Sequence, residues 1–431
     1  MLETDTPRAL EQALQALEHQ FAALPDFQAP AVEGTAAVLA DVAARLGNNF
    51  PYFHPLYAGQ MLKPPHPVAR AAYALATWIN PNNHALDGGR ASSEMEREAV
   101  AQIAAMFGWR EHLGHLAGGG TMANLEALWV AGRLHPGKKI VASSQSHYTH
   151  ERISGVLQLP FAKVDTDRRG RMDPAALECL AKNGEIGCVV ATLGTTATGS
   201  VDPLPEILGL GERYGFRVHV DAAYGGYFTL ADNLGPEARA AFDRVTEADS
   251  IVIDPHKHGL QPYGCGCVLF RDPAVGTLYK HDSPATYFSS RQQHLGEISL
   301  ECSRPGASAV ALWATMRMLP LVRGGAFAQG LTASRRAALA LHARLAADNR
   351  FIAPFEPQLD IVVWAPRHGS AQRIFDGAAK LNLHLALARL PGAFFGATEP
   401  EVLALRSVLM KPEHEQWIDR IWEILDQATN E

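Results

Sequence analysis

A chain of 431 residues, 47% hydrophobic and 19% charged, is long enough for two domains, or one large domain with an appendage, around a sizeable core. Its formal charge of −7 and the lack of a long basic run argue against a nucleic-acid partner, and no 18-residue apolar span offers a membrane crossing. Five cysteines are too few and too odd in number for a disulfide framework, and the polar, helical opening is no signal peptide, so a reduced, cytoplasmic protein is expected.

In chain order, residues 10–46 read as two amphipathic helices interrupted at Pro25 and Pro30. The next stretch, NNFPYFHPLYAGQMLKPPHPVA (48–69), is rich in proline and aromatics but too apolar for a disordered linker, so it reads as an ordered, packed loop. From Arg90 the pattern is helix, glycine loop, helix. Short apolar runs then alternate with helical ones. KIVAS (139–143), CVVATL (188–193), FRVHVDA (216–222), SIVIDP (250–255) and CVLF (267–270) are the expected strands, with PAALECLAKNG and LPEILGLGERYG among the helices between them. Near-continuous apolar strands separated by helices imply an α/β fold with a mostly parallel sheet covered on both faces. After Pro305 one long helical pattern runs to about Asn349, and DIVVWAP and LALRSVLM then suggest a small C-terminal α+β unit.

Ligands of open α/β sheets bind beyond the carboxyl ends of strands, and the unusual residues fall there. HLAGGGTMANLEALWVAGR sets Gly118, Gly119, Gly120 and Thr121 ahead of a helix. Glycines allow close backbone approach, and a helix N-terminus offers free N–H groups with partial positive charge, which makes an anion cradle suited to a phosphate. A flexible turn capped by Thr121 is the plain alternative. The spacing is not GxGxxG and no P-loop lysine follows, which weakens dinucleotide and ATP readings. Asp221 ends FRVHV, and Ala222 and Ala223 beyond it leave room for a flat group. His147 follows KIVASSQS, and Lys257 sits between His256 and His258 just past SIVID. Those two histidines, at i and i+2 of an extended segment, point apart, and Cys265 and Cys267 lack a second pair, so no metal site is expected. Together the parts are those that pyridoxal 5′-phosphate needs: a lysine for its aldehyde, an N-terminus for its phosphate and a carboxylate for its ring nitrogen.

These motifs, in this order, resemble the group II pyridoxal-phosphate-dependent amino acid decarboxylases, the family of glutamate, aromatic-amino-acid and cysteine-sulfinate decarboxylases. DPHKHG resembles the family's lysine motif, HVDAAYGG the aspartate motif, GGGTMANLEAL the phosphate loop and SSQSHYTHERI the segment of the stacking histidine. ATLGTTATGSVD and GRASSEMEREAV match further stretches, and the likeness runs from FPYFHP to LRSVLMKPEH. The resemblance implies PLP-dependent transferase fold type I: an N-terminal helical arm (1–50), a PLP-binding large domain with a mostly parallel seven-stranded sheet (51–325) and a small C-terminal α+β domain (326–431). It also implies a homodimer with shared active sites, and decarboxylation of an L-amino acid substrate to the amine and carbon dioxide.

On the same resemblance, Lys257 holds the cofactor and returns a proton, Asp221 pairs with the ring nitrogen, and His147 stacks on the ring face opposite Ala223. Gly119, Gly120, Thr121 and His256 hold the phosphate, and Thr196 sits beside the ring. Arg406 matches an arginine that meets the substrate carboxylate in some members, and Tyr52 and Phe53 lie in a segment that recognises side chains. Tyr287, in HDSPATYFSSRQQHLGE, matches a loop tyrosine that the partner subunit inserts to protonate Cα. Asp254 departs from the asparagine of several members, and its carboxylate is expected to turn toward backbone N–H groups. A carbon–carbon lyase or decarboxylating aldehyde synthase on the same fold, and a non-catalytic scaffold, are the competing readings. The loop tyrosine leans against the aldehyde synthase, and the intact lysine, aspartate and histidine against the scaffold.

Overall fold

The computed structural model describes residues 5–25, 30, 32–280 and 297–430. Seven strands, β1 (Leu113–Ala117), β2 (Lys139–Ser143), β3 (Phe161–Val164), β4 (Ile186–Thr192), β5 (Arg217–Asp221), β6 (Ser250–Ile253) and β7 (Gly266–Phe270), form one sheet in the order β1-β7-β6-β5-β4-β2-β3. From β3 to β6 every neighbouring pair is parallel, whereas β7 runs antiparallel to both β6 and β1. The sheet is mostly parallel and seven-stranded, as expected. All seven residues of β4 and all five of β7 are buried, because helices cover both faces, and this is why those runs are continuously apolar.

The five expected strands appear as β2, β4, β5, β6 and β7, with ends displaced by two residues or fewer. The other two carried no such signal. LGHLA interrupts its apolar run with Gly114 and His115, and His115 is tolerated inside because its Nε2 lies 2.9 Å from the buried Glu126 carboxylate. FAKV has only four residues and carries Lys163 outward. The long helical pattern after Pro305 divides into helices Gly306–Met318 and Ala326–Ala347. Pro320 cannot continue the first, and Gly324, at φ 73°, turns the chain between them.

The C-terminal unit holds β8 (Phe351–Ile352), β9 (Ile361–Pro366), β10 (Ala386–Pro391) and β11 (Glu401–Val408) in an antiparallel sheet ordered β10-β11-β9-β8. Helices Ala371–Lys380 and His414–Asn430 pack on each other, and the second also packs on Ala326–Ala347. One buried carboxylate ties this unit to the large sheet. Asp360, just before β9, accepts a 2.5 Å hydrogen bond from the Tyr224 hydroxyl at Oδ1 and lies 3.2 Å from His258 Nε2 at Oδ2.

At the N-terminus, helices Asp5–Gln20 and Thr35–Leu46 bury no residue within the chain, and Val38, Leu39, Val42 and Leu46 on the second are exposed. The 48–69 segment is ordered and packed as read: Tyr57 is buried, bridges to His384 and stacks edge-on against Tyr52. Its last residues begin helix Pro67–Thr77, which proline opens at N1.

Candidate active site

Three loops at the carboxyl ends of the central strands converge with the start of helix Gly120–Leu134. After β1 the chain enters the glycine loop, where Gly119 at φ 144° caps that helix with no side-chain hydrogen bond. Only glycine adopts this angle readily, and the backbone of β7 presses on it: a Cβ added to Gly266 would fall 2.5 Å from the Gly119 carbonyl carbon. Among the described residues, no capping side chain takes up the first-turn N–H groups.

After β4, residues 193–201 form a tight loop held from below by Asp202, whose carboxylate accepts from the N–H groups of Thr192 (2.8 Å) and Met172 (2.7 Å). Burial pushes the Asp202 carboxyl up to about 7. A chain of hydroxyls, Thr195–Thr198–Ser200, spaced 2.7 Å at each step, rigidifies the loop that carries Thr196. Gly225, in AAYGG, must lack a side chain because a Cβ there would lie 2.1 Å from the Leu193 carbonyl oxygen.

Asp221, 5% exposed, is the last residue of β5. Its Oδ1 accepts from the Ala223 N–H (3.1 Å), and its Oδ2 lies 2.8 Å from His150 Nε2. Burial works to raise its pKa, but the His150 hydrogen bond and the charges of His150 and Lys257 outweigh burial and hold the carboxyl well below the usual range. After β6 the chain turns through Asp254–Lys257, and the Lys257 N–H donates to the Asp254 carbonyl at 2.9 Å. The Lys257 amine stands 3.0 Å from Asp254 Oδ2.

All nine residues expected to bind the cofactor line one cavity of about 480 Å³: Gly119, Gly120, Thr121, His147, Thr196, Asp221, Ala223, His256 and Lys257. A second cavity of about 370 Å³ shares His147 and Thr196 with the first and reaches Arg406. Arg406 is 4% exposed; its Nη1 donates to the Gly59 carbonyl at 3.0 Å, while Nε and Nη2 have no partner among the described residues. Burial lowers its pKa. His147 donates or accepts at Nδ1 with the Thr149 hydroxyl (2.8 Å), and its pKa is lowered chiefly by burial.

Several expectations land elsewhere. Tyr52 and Phe53 line neither cavity: Tyr52 packs on Tyr57 and Phe50, and Phe53 is 45% exposed, because the 50–57 turns fold against His384 of the C-terminal unit. Tyr287 lies outside the described residues. The Asp254 carboxylate does not turn toward backbone N–H groups. Its Oδ2 faces the Lys257 amine and lies 3.5 Å from His256 Nε2, and its buried Oδ1 has no partner among the described residues. The ammonium a few ångströms away is the stronger attraction. His256 and His258 do point apart, His256 into the cavity and His258 toward Asp360 and Tyr224.

The sequence alone gives no sign of Asn124 or Glu301. Asn124 lines the cavity one turn into the glycine-capped helix and donates to the Gly120 carbonyl at 2.8 Å. Glu301 Oε2 accepts from the Gly118 N–H at 3.1 Å. His150, in SHYTHE, is three residues from His147 at a helix start, and that spacing is the one available hint.

The donor set suits pyridoxal phosphate: an uncapped glycine-rich N-terminus for a dianion, a buried ionised carboxylate for a ring nitrogen, and an amine within the same cavity.

The comparisons agree. The sequence model of the pyridoxal-dependent decarboxylase conserved domain matches residues 49–366. A probable L-tyrosine/L-aspartate decarboxylase of Methanothermobacter thermautotrophicus is 29% identical over 60% of this chain and 70% of its own. The L-tyrosine decarboxylase of Enterococcus faecium is 28% identical over 66% of this chain and 63% of its own. In fold, the Oryza sativa TDC solved with PLP and tryptamine superposes with a TM-score of 0.80 at 19% identity, over 100% of this chain and 98% of that one.

Proposed function

The chain belongs to the pyridoxal-dependent decarboxylases, and from that premise we propose that Lys257, Asp221 and His147 hold the cofactor while Arg406 takes the substrate carboxylate. The protein is a pyridoxal-phosphate-dependent amino acid decarboxylase. One observation carries the residue assignment: a buried, ionised Asp221 and the Lys257 amine share a cavity with an uncapped glycine-rich helix start.

Bound there, pyridoxal phosphate supplies an electron sink for the pair released when the bond from Cα to the carboxyl group breaks. Lys257 supplies the amine that holds it covalently, and afterwards a proton for Cα. Gly119, Gly120 and Thr121 offer N–H groups to the phosphate, with His256 beside them. Asp221 stays charged against the ring nitrogen, and Ala223, His147 and Thr196 wall the ring. Arg406, with two buried guanidinium nitrogens, Nε and Nη2, unpartnered among the described residues, lies past His147 and Thr196, and a carboxylate there satisfies both.

The test begins with L-tyrosine and L-aspartate, the substrates in the relatives' names, within a panel of amino acids read by carbon dioxide and amine. Aldehyde and peroxide in place of amine would point to an aldehyde synthase instead. Arg406→Met should raise KM by about tenfold or more, since a charge-assisted pair is lost, with a smaller change in kcat. An unchanged KM would remove Arg406 from the substrate site.

Asp254 sets a carboxylate beside the phosphate cradle. Its Oδ2 abuts Gly120 so closely that a Cβ there would come within 2.7 Å. Asp254→Asn deletes this like charge and ends the competition for the Lys257 amine. The apo protein should then bind pyridoxal phosphate about tenfold more tightly at neutral pH, read by fluorescence titration. Weaker binding would show that the carboxylate serves the cofactor.

We also read the protein as a cytoplasmic homodimer whose N-terminal arm (1–50) precedes a large domain (51–325) and a small one (326–431). The exposed Val38, Leu39, Val42 and Leu46 stripe supports a partner covering the arm. Sedimentation at the mass of one chain would count against the dimer. Among the described residues, no helix is long and apolar enough to cross a membrane.

A further inference from the structure

His150 is fully buried, and it stands second in helix Thr149–Val156, directly behind the Asp221 carboxylate. An ionised carboxylate can only accept, so the 2.8 Å contact requires the hydrogen on Nε2. The opposite nitrogen, Nδ1, has no partner among the described residues. A half-satisfied imidazole in a core costs more than an apolar side chain of similar volume, and among the described residues the bond to Asp221 is what its ring makes in return.

The neighbouring His219 shows the contrast. It projects from β5 on the same face as Asp221, two residues earlier, and both its nitrogens are engaged, with Asn124 Oδ1 and the Ser250 hydroxyl each at 2.8 Å. Burial pushes His219 down to about 3, so it is neutral and adds no charge to the site. Among the described residues, the titratable groups that act on Asp221 are therefore His150 from its helix, Lys257 from the turn after β6, His147 from the loop after β2 and the neutral His219, while Asp254 faces Lys257.

We propose that His150 is a positioning residue: by donating Nε2–H to Asp221 Oδ2 it fixes the plane of the carboxylate and keeps the shared proton on the cofactor's ring nitrogen. Asp221 is held at both oxygens, by His150 and by the Ala223 N–H, so its remaining lone pairs are set in direction before any ligand arrives. A donor behind the carboxylate weakens it as a base, and the proton between it and a heterocyclic nitrogen rests on the nitrogen. The inference rests on the assignment of Asp221 made above.

The test compares His150→Phe, which fills the space without a donor, with His150→Gln, whose amide can still donate. Both are purified with pyridoxal phosphate. Borohydride should fix the cofactor to Lys257 in each variant as in the parent, which checks the underlying assignment separately. In His150→Phe the pH titration of the bound cofactor's absorption should move by about one unit. Its kcat should fall about tenfold to a hundredfold with little change in KM. His150→Gln should recover most of both. Added to Asp221→Ala, His150→Phe should shift neither the titration nor kcat further, because its effect passes through that carboxylate. A parent-like titration and kcat in His150→Phe would overturn the proposal. So would equal losses in the Phe and Gln variants, which signify packing alone. If His150→Phe does not fold, His150→Asn, too short to reach Oδ2, serves as the donor-free arm. Failure of borohydride to fix the parent would fall on Lys257 and Asp221 instead.

Discussion

Lys257→Ala should bind pyridoxal phosphate reversibly, with nothing for borohydride to fix, and should decarboxylate at least about 10²–10⁴-fold more slowly from the lost proton transfer alone. Among the described residues, no other lysine lines its cavity. Lys63 and Lys411, which donate to the carbonyls of Met410 and Tyr57, are not among the residues lining the Lys257 cavity. Added methylamine should restore part of the rate, since the cavity that the side chain vacates admits a small amine. A variant that keeps a fixable cofactor would place the reactive amine elsewhere in the chain.

The second large effect is Asp221→Ala, for which kcat should drop about 10²–10³-fold while KM stays near its parent value. The carboxylate acts on charge that develops during bond breaking, so its loss is felt in the rate more than in binding. Its pH behaviour follows from the direction of its shift. A carboxyl with a depressed folded pKa favours the fold above its unfolded value, and that contribution fades only as pH falls through the folded one. Asp221 is therefore ionised across the working range, and the acid limb of the activity profile should belong to another group. An acid limb that vanishes in Asp221→Asn would contradict this.

Much of this architecture was legible because burial on two faces writes an apolar run that needs no context. β4 and β6 are such runs, and the site residues follow them directly. β1 was hidden because its polar His115 is satisfied by Glu126 from a helix eleven residues on (126 − 115), a tertiary pairing that no local window contains. The helix break at 319–325 was hidden for the opposite reason: apolar Leu319, Leu321 and Val322 carry the pattern through a proline and two glycines. Of the site, the residues fixed by a strand end or a helix start could be placed, including Lys257, Asp221 and the glycine loop. Tyr52 and Phe53 could not, because a turn-rich segment gives no periodicity that says which way a ring faces. Asp254 was misjudged because its nearest cation, Lys257, had already been assigned to the cofactor. His150 was missed because its value lies wholly in a contact across seventy-one positions (221 − 150).

Asp360 ties the C-terminal quarter of the molecule to the strand ends that line the cavity. It touches Tyr224, three positions past Asp221, and His258, the residue after Lys257, while β9 beyond it pairs with the strand that bears Arg406. A strain introduced at that acid would be felt at both strand ends that carry the proposed cofactor residues and at the proposed substrate arginine together. The small unit is a keystone, and the large one shorn of it would keep its sheet while losing the alignment of everything the sheet presents.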